Sequence, residues 1–134
     1  MKLLGLYGAT ALVFLALDLV WLGVVARDFY RAQLGPLHRA DALWPAALAF
    51  YAIYIAGILV FAVMPALDSA SWLRALKLGW FFGLVAYATF DLTALALLRD
   101  FPAKLVAVDL AWGSALTAGV AVSGFALGRW LDVM

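Results

Sequence analysis

The chain has no cysteine among its 134 residues, which excludes disulfides, thiolate catalysis and cysteine-ligated metals. It has one histidine, His38, so haem or zinc ligation lacks a ligand set. Charge is scarce as well. Charged residues make up 13% of the chain, against roughly 25% in soluble domains. A net charge of +1 is too small for a nucleic-acid partner. There is no glycine-rich phosphate loop and no Ser/His/Asp set. Nor does any segment alternate apolar and polar residues over about ten positions, as the strands of a membrane barrel do.

What the chain has instead is apolar surface. Hydrophobic residues make up 69% and come in four blocks, from about Leu3 to Ala26, Leu43 to Leu67, Leu73 to Leu98 and Leu105 to Leu131. Each has the roughly 20 residues that cross a bilayer. Glycines and β-branched residues in them would weaken a helix in water, but in lipid the backbone must bond to itself, and a helix is forced. The expectation is an all-α membrane protein: a four-transmembrane-helix bundle, with residues 1–134 as a single integral membrane domain. The opening "MKLLGLYGATALVFLALDLVWLGVVA" is expected to stay as the first span. Its apolar run exceeds the 7–15 or so residues of a signal peptide and contains Asp18.

The connections differ in length. In "RDFYRAQLGPLHRADALWP" the residues Phe29, Tyr30, Leu34 and Leu37 fall on one side of a helix, and Arg27 and Arg31 on another. That pattern predicts a short interfacial helix between the first and second spans, broken at Gly35-Pro36. Asp41 is suited to cap the second span, and Asp100 with Pro102 to start the fourth. The short links "DSAS" and "RDFPAK" make the second and third, and the third and fourth, spans antiparallel neighbours. Arg27, Arg31, Arg39, Arg99 and Lys104 lie on one side, and Lys2, Arg74, Lys77 and Arg129 on the other. This small excess predicts a cytoplasmic long link with both termini outside, and is small enough to leave room for dual insertion.

One layer of the membrane is polar. Counting from Arg27, Arg99 and Lys104, Asp18, Asp91 and Asp109 lie roughly 13, 12 and 8 Å below the same face, with Tyr51 and Tyr54 of the second span about 10–15 Å deep. Trp21 shares a helix face with Asp18, and Trp112 with Asp109, in the repeated pattern "DLVW" and "DLAW". Gly79, Gly83, Tyr87 and Asp91 form a stripe four residues apart, and Asp109, Gly113, Thr117, Val120, Gly124 and Gly128 a similar one. Small residues at that spacing admit a neighbouring helix, so Asp91 is expected to point into the bundle. Trp44, Trp72 and Trp130, near span ends, read as interfacial anchors. Three central aspartates would cost roughly 7–10 kcal/mol to insert. Interhelical hydrogen bonds return only about 0.6 kcal/mol each. A neutral carboxyl tying helices together accounts for one such residue more readily than for three.

The stretches "FDLTALALLRDFPAKLVAVDLAWGSALTA", "DLVWLGVVARDFYRAQLG" and "WPAALAFYAIYIAG" resemble the bacterial membrane-protein family called domain of unknown function 2177, over nearly the whole chain. Tyr87, Ala88, Thr89, Asp91, Leu92 and Thr93 match its motif in the third span. Phe90 stands where the family has a tyrosine, and Ala94 where it has an asparagine. Asp109, Trp112 and Gly113 match in the fourth span, as do Asp18, Trp21, Phe29 and Tyr30 earlier. The resemblance implies four spans and a bacterial inner-membrane location, and no particular reaction.

Together these readings make Asp18, Asp91 and Asp109 the expected ligand or proton site. Tyr87, Thr93, Trp21, Trp112, Tyr51 and Tyr54 surround it. No catalytic residue, metal or cofactor is assigned. The expected partners are the lipid bilayer and a small or lipophilic molecule, with a homo-oligomer or membrane-complex partner also open. The leading expectation is ligand binding or proton-linked movement. The alternatives are an enzyme acting on a lipid or isoprenoid, and a structural subunit that uses the small-residue stripes as contact faces.

Overall fold

A computed structural model describes residues 1–39, 41 and 43–133. Four helices are long and apolar enough to cross a membrane: Lys2–Val25, Trp44–Asp68, Trp72–Leu97 and Ala103–Trp130. A shorter helix, Arg27–Leu34, links the first two. It ends at Gly35, whose φ of 53° suits a residue without a Cβ, and a turn of 3₁₀ helix follows over Gly35–Leu37.

Two spans contain a widened π turn. In the second it covers Leu59–Val63, just ahead of Pro65. Proline has no N–H to give the carbonyl four residues back, and its ring would crowd that carbonyl; the wider turn relieves both problems. In the first it covers Trp21–Val25, closed by the Ala26 N–H on the Trp21 carbonyl at 2.7 Å.

The helix starts differ from those expected. Asp41 does not cap the second span, which begins at Trp44 without a side-chain cap, three residues beyond the aspartate and with Pro45 in its first turn. Asp100 does not cap the fourth either. It sits in the turn at φ 60°, and the helix starts after Pro102. The third span is capped by Ser71, whose hydroxyl accepts the Arg74 N–H at 3.1 Å. Leu37 is exposed and not on the buried side of the linking helix, because that helix stops at Gly35.

The third and fourth spans form the closest pair. A Cβ on Gly79 would come within 2.6 Å of the Ala121 Cβ, and one on Gly83 would run into the Gly113 carbonyl. The fourth-span stripe is also occupied from within. Gly113 lies under the Tyr87 ring, Gly124 against Val63 and Thr10, and Gly128 against Leu67. Away from the linking helix the core is mostly apolar, with Leu6, Phe14, Ile58, Val63 and Val120 fully buried beside Thr10 and Thr117. The linking helix packs Phe29, Tyr30 and Leu34 against Ala94, Phe101, Leu105 and Val106. The second span meets the third mainly through its π turn and last turn, so the backbone of its first half stands away from the third span.

Candidate functional site

The three intramembrane aspartates come together in the half of the bundle next to the linking helix. Asp18 is 5% exposed and Asp91 1%; Asp109 is partly buried. Asp18 accepts two hydrogen bonds, from the Tyr51 hydroxyl at 3.0 Å and from the Trp112 indole N–H at 3.3 Å. Asp109 accepts the Tyr30 hydroxyl at 2.7 Å. Tyr30 in turn accepts the Trp21 indole N–H at 3.2 Å. The two indoles stack, centroids 4.4 Å apart and planes 7° from parallel.

Asp91 stands apart. Neither of its oxygens has a hydrogen-bond partner among the described residues. Tyr30 lies outside the spans. Burial pushes its hydroxyl above the usual tyrosine range, and the bond to Asp109 adds to this while the Trp21 N–H opposes it. Tyr30 thus stays a donor to Asp109.

Beside this cluster is a cavity of about 420 Å³. Asp18 and Asp109 form its polar wall; Ala47, Tyr51, Ala86, Tyr87 and Trp112 continue it. Leu22, Phe50 and Phe90 edge it, and all three are exposed on the outside of the bundle. It exists because the first half of the second span stands off from the third. No lysine, arginine or histidine lines it. The two ion pairs among the described residues, Lys2 with Asp132 and Arg27 with Asp28, involve exposed side chains. Among the described residues no group of three or more acidic or histidine side chains is arranged to hold a metal ion.

Of the nine residues expected at the site, seven meet there: Asp18, Asp91, Asp109, Tyr87, Trp21, Trp112 and Tyr51. Tyr54 borders it: its ring packs on Phe50 and Tyr87, while its hydroxyl shares a 2.8 Å hydrogen bond with Thr117, nearly a turn further along the second span. Thr93 does not meet there. Thr93 is exposed, in a shallow outer groove with Thr89 and Leu97. Two residues beyond Asp91, it has turned about 200° around the helix and faces away. Tyr30 was not expected. Its sequence signal was only its place on the apolar side of the linking helix, which does not say what the hydroxyl meets.

Four apolar spans and a lipid-height polar cluster define a multi-pass membrane protein. The chain belongs to the DUF2177 family, described as predicted membrane protein, whose model matches residues 3–126. Comparison with curated proteins and with solved structures gives no match.

Proposed function

We propose that this protein binds a small lipophilic ligand in the cavity beside Asp18 and Asp109, and that movement of the ligand is linked to proton uptake by the aspartate cluster. The observation carrying this reading is the cavity itself. Its volume of about 420 Å³ falls within the roughly 300–1,000 Å³ of small-ligand pockets. Its lining is mostly aromatic and aliphatic, and its edge residues lie on the surface that the spans present to lipid, so a lipophile can enter sideways. Buried ionisable groups within a membrane mark ligand or proton pathways more often than they act as struts. The bacterial inner membrane is the proposed location.

A membrane enzyme acting on a lipid or isoprenoid is the second reading, favoured by the Asp91–Asp109 pair as general acid and base. A structural subunit is disfavoured, because both small-residue stripes are taken up by neighbours within the chain. The test is photolabelling of the purified protein with a diazirine-bearing alkyl alcohol, followed by mass mapping. Label concentrated on Ala86, Tyr87 and Trp112, and lost when Ala86→Trp fills the cavity, is expected. Label spread evenly over the lipid-facing residues of all four spans, unchanged by Ala86→Trp, would overturn the reading.

A further inference from the structure

Most donors around the cavity are already committed. The Tyr51 hydroxyl and the Trp112 N–H serve Asp18, and the Tyr30 hydroxyl serves Asp109. The unspent capacity is one hydroxyl, on Tyr87, and acceptor capacity on carboxyl oxygens. A third carboxyl, Asp91, is 1% exposed, and neither of its oxygens has a hydrogen-bond partner among the described residues. No cationic side chain lines the cavity to balance these groups. The rest of the wall offers ring faces, from Phe50, Tyr51, Tyr87, Phe90 and Trp112. Aromatic faces carry the negative end of the ring quadrupole and attract cations, most strongly where water is excluded. An anion would meet two carboxyls and no free cation, whereas a neutral hydrocarbon would use the rings and leave the carboxyls idle.

We infer that the cavity takes a lipophilic organic cation, an ammonium on an aromatic or aliphatic body, seated between the carboxyls of Asp18 and Asp109 and the rings of Phe50, Tyr87 and Phe90. This rests on the reading of the cavity as a lipophilic-ligand site and names the ligand class. Charge is conserved if a proton on the aspartates passes to water as the cation arrives, since one positive charge replaces another. Protons and ligand then compete for the same carboxyls. The titratable groups facing the site are Asp18 from the first span, Tyr30 from the linking helix, Tyr51 from the second span, Tyr87 and Asp91 from the third, and Asp109 from the fourth. The tyrosines stay neutral over the working range, which leaves the aspartates as the competing set.

The test is a tryptophan-fluorescence titration of the purified full chain in detergent, with empty micelles subtracted. Three probes share one shape: benzyltrimethylammonium, its neutral carbon isostere neopentylbenzene, and the anion benzylsulfonate. The cation is expected to bind at least about tenfold more tightly than the other two. Its affinity should fall as pH drops from about 7 to about 3, through the range in which carboxylates take up protons. Asp109→Asn, similar in shape but without charge, should weaken the cation about tenfold or more and leave neopentylbenzene unchanged. Equal binding of cation and neutral isostere, or a pH-independent cation affinity in the parent, overturns the cation inference and leaves the lipophilic-ligand reading standing. Binding of none of the three overturns both. The pH series uses the parent protein, so it decides the matter even if Asp109→Asn fails to fold.

Discussion

Trp21 and Trp112 lie 91 positions apart in the chain, yet their rings stack at 4.4 Å, and each indole N–H points toward the aspartate of the other's span. Trp112 of the fourth span reaches Asp18 directly. Trp21 of the first reaches Asp109 through the Tyr30 hydroxyl. The two "Asp-Leu-x-Trp" patterns thus interlock, and this ties the first span to the fourth at the height of the site. Trp112→Phe keeps a ring but loses the N–H to Asp18, and should cost about 1–2 kcal/mol. Adding Trp21→Phe should cost less than the sum of the single changes, because either one already disturbs the stack. Denaturant unfolding in detergent would decide; strict additivity would mean that the two indoles do not act as a unit.

Tyr30→Phe removes the donor to Asp109 and the acceptor for Trp21. A loss of about 1 kcal/mol is expected. The hydroxyl is held above the usual tyrosine range in the fold, so its contribution is full below the unfolded value of about 10 and fades as pH rises through the folded one. The stability gap between parent and Tyr30→Phe should be constant from about pH 6 to 9 and narrow above about pH 10. A gap that opens with rising pH would contradict the neutral donor role.

Gly83→Leu should disrupt the bundle more than Ala86→Leu. A side chain on Gly83 meets the Gly113 carbonyl and Thr117, which cannot move without parting the third and fourth spans. Ala86 faces the cavity, where a larger side chain has room. Similar losses of thermal stability in the two variants would refute this assignment of faces.

Asp91→Asn should fold about as well as the parent. Its amide keeps the shape of the carboxyl and offers Asp109 an N–H donor. It should lose proton-dependent ligand binding, along with an infrared carboxylic C=O band that the parent displays. Asp91→Leu leaves Asp109 without that donor and should lose stability as well, by about 1–3 kcal/mol. If Asp91→Asn unfolds while Asp91→Leu does not, the reading of Asp91 as a proton site fails.

Without native cysteine, single-cysteine labelling can report orientation. Ser69, exposed in the turn between the second and third spans, should react as Ser69→Cys only from outside the cell, and Arg31→Cys in the linking helix only from the cytoplasm. Labelling of Ser69→Cys only from the cytoplasm reverses the orientation. Labelling from both sides indicates dual insertion and makes an antiparallel dimer plausible.

Much of this was legible from one dimension of the problem. Depth in a membrane helix is a count of residues, because the rise per residue is constant. That is why Asp18, Asp91 and Asp109 could be assigned to one layer from their distances to Arg27, Arg99 and Lys104. Facing is a count modulo the helical repeat, which is why the Gly79–Gly83 stripe marked the side of the third span that meets the fourth. Tyr51 and Tyr54 show where counting fails. Both have suitable depth, but only the rotation of the second span against the others decides that Tyr51 meets Asp18 and Tyr54 meets Thr117.

The sequence by itself determined the four spans, because an apolar block in lipid has no alternative to a helix, and it determined the polar layer, because helical rise converts position into depth. The tertiary structure alone decided the rest. Whether Asp91 faces Asp109, whether Tyr30 swings in from the linking helix to reach a residue 79 positions away, and whether a cavity opens where the second span stands off from the third all depend on how rigid helices are placed relative to one another. Those placements are set by side-chain volumes meeting across helices, and no local pattern along the chain encodes them.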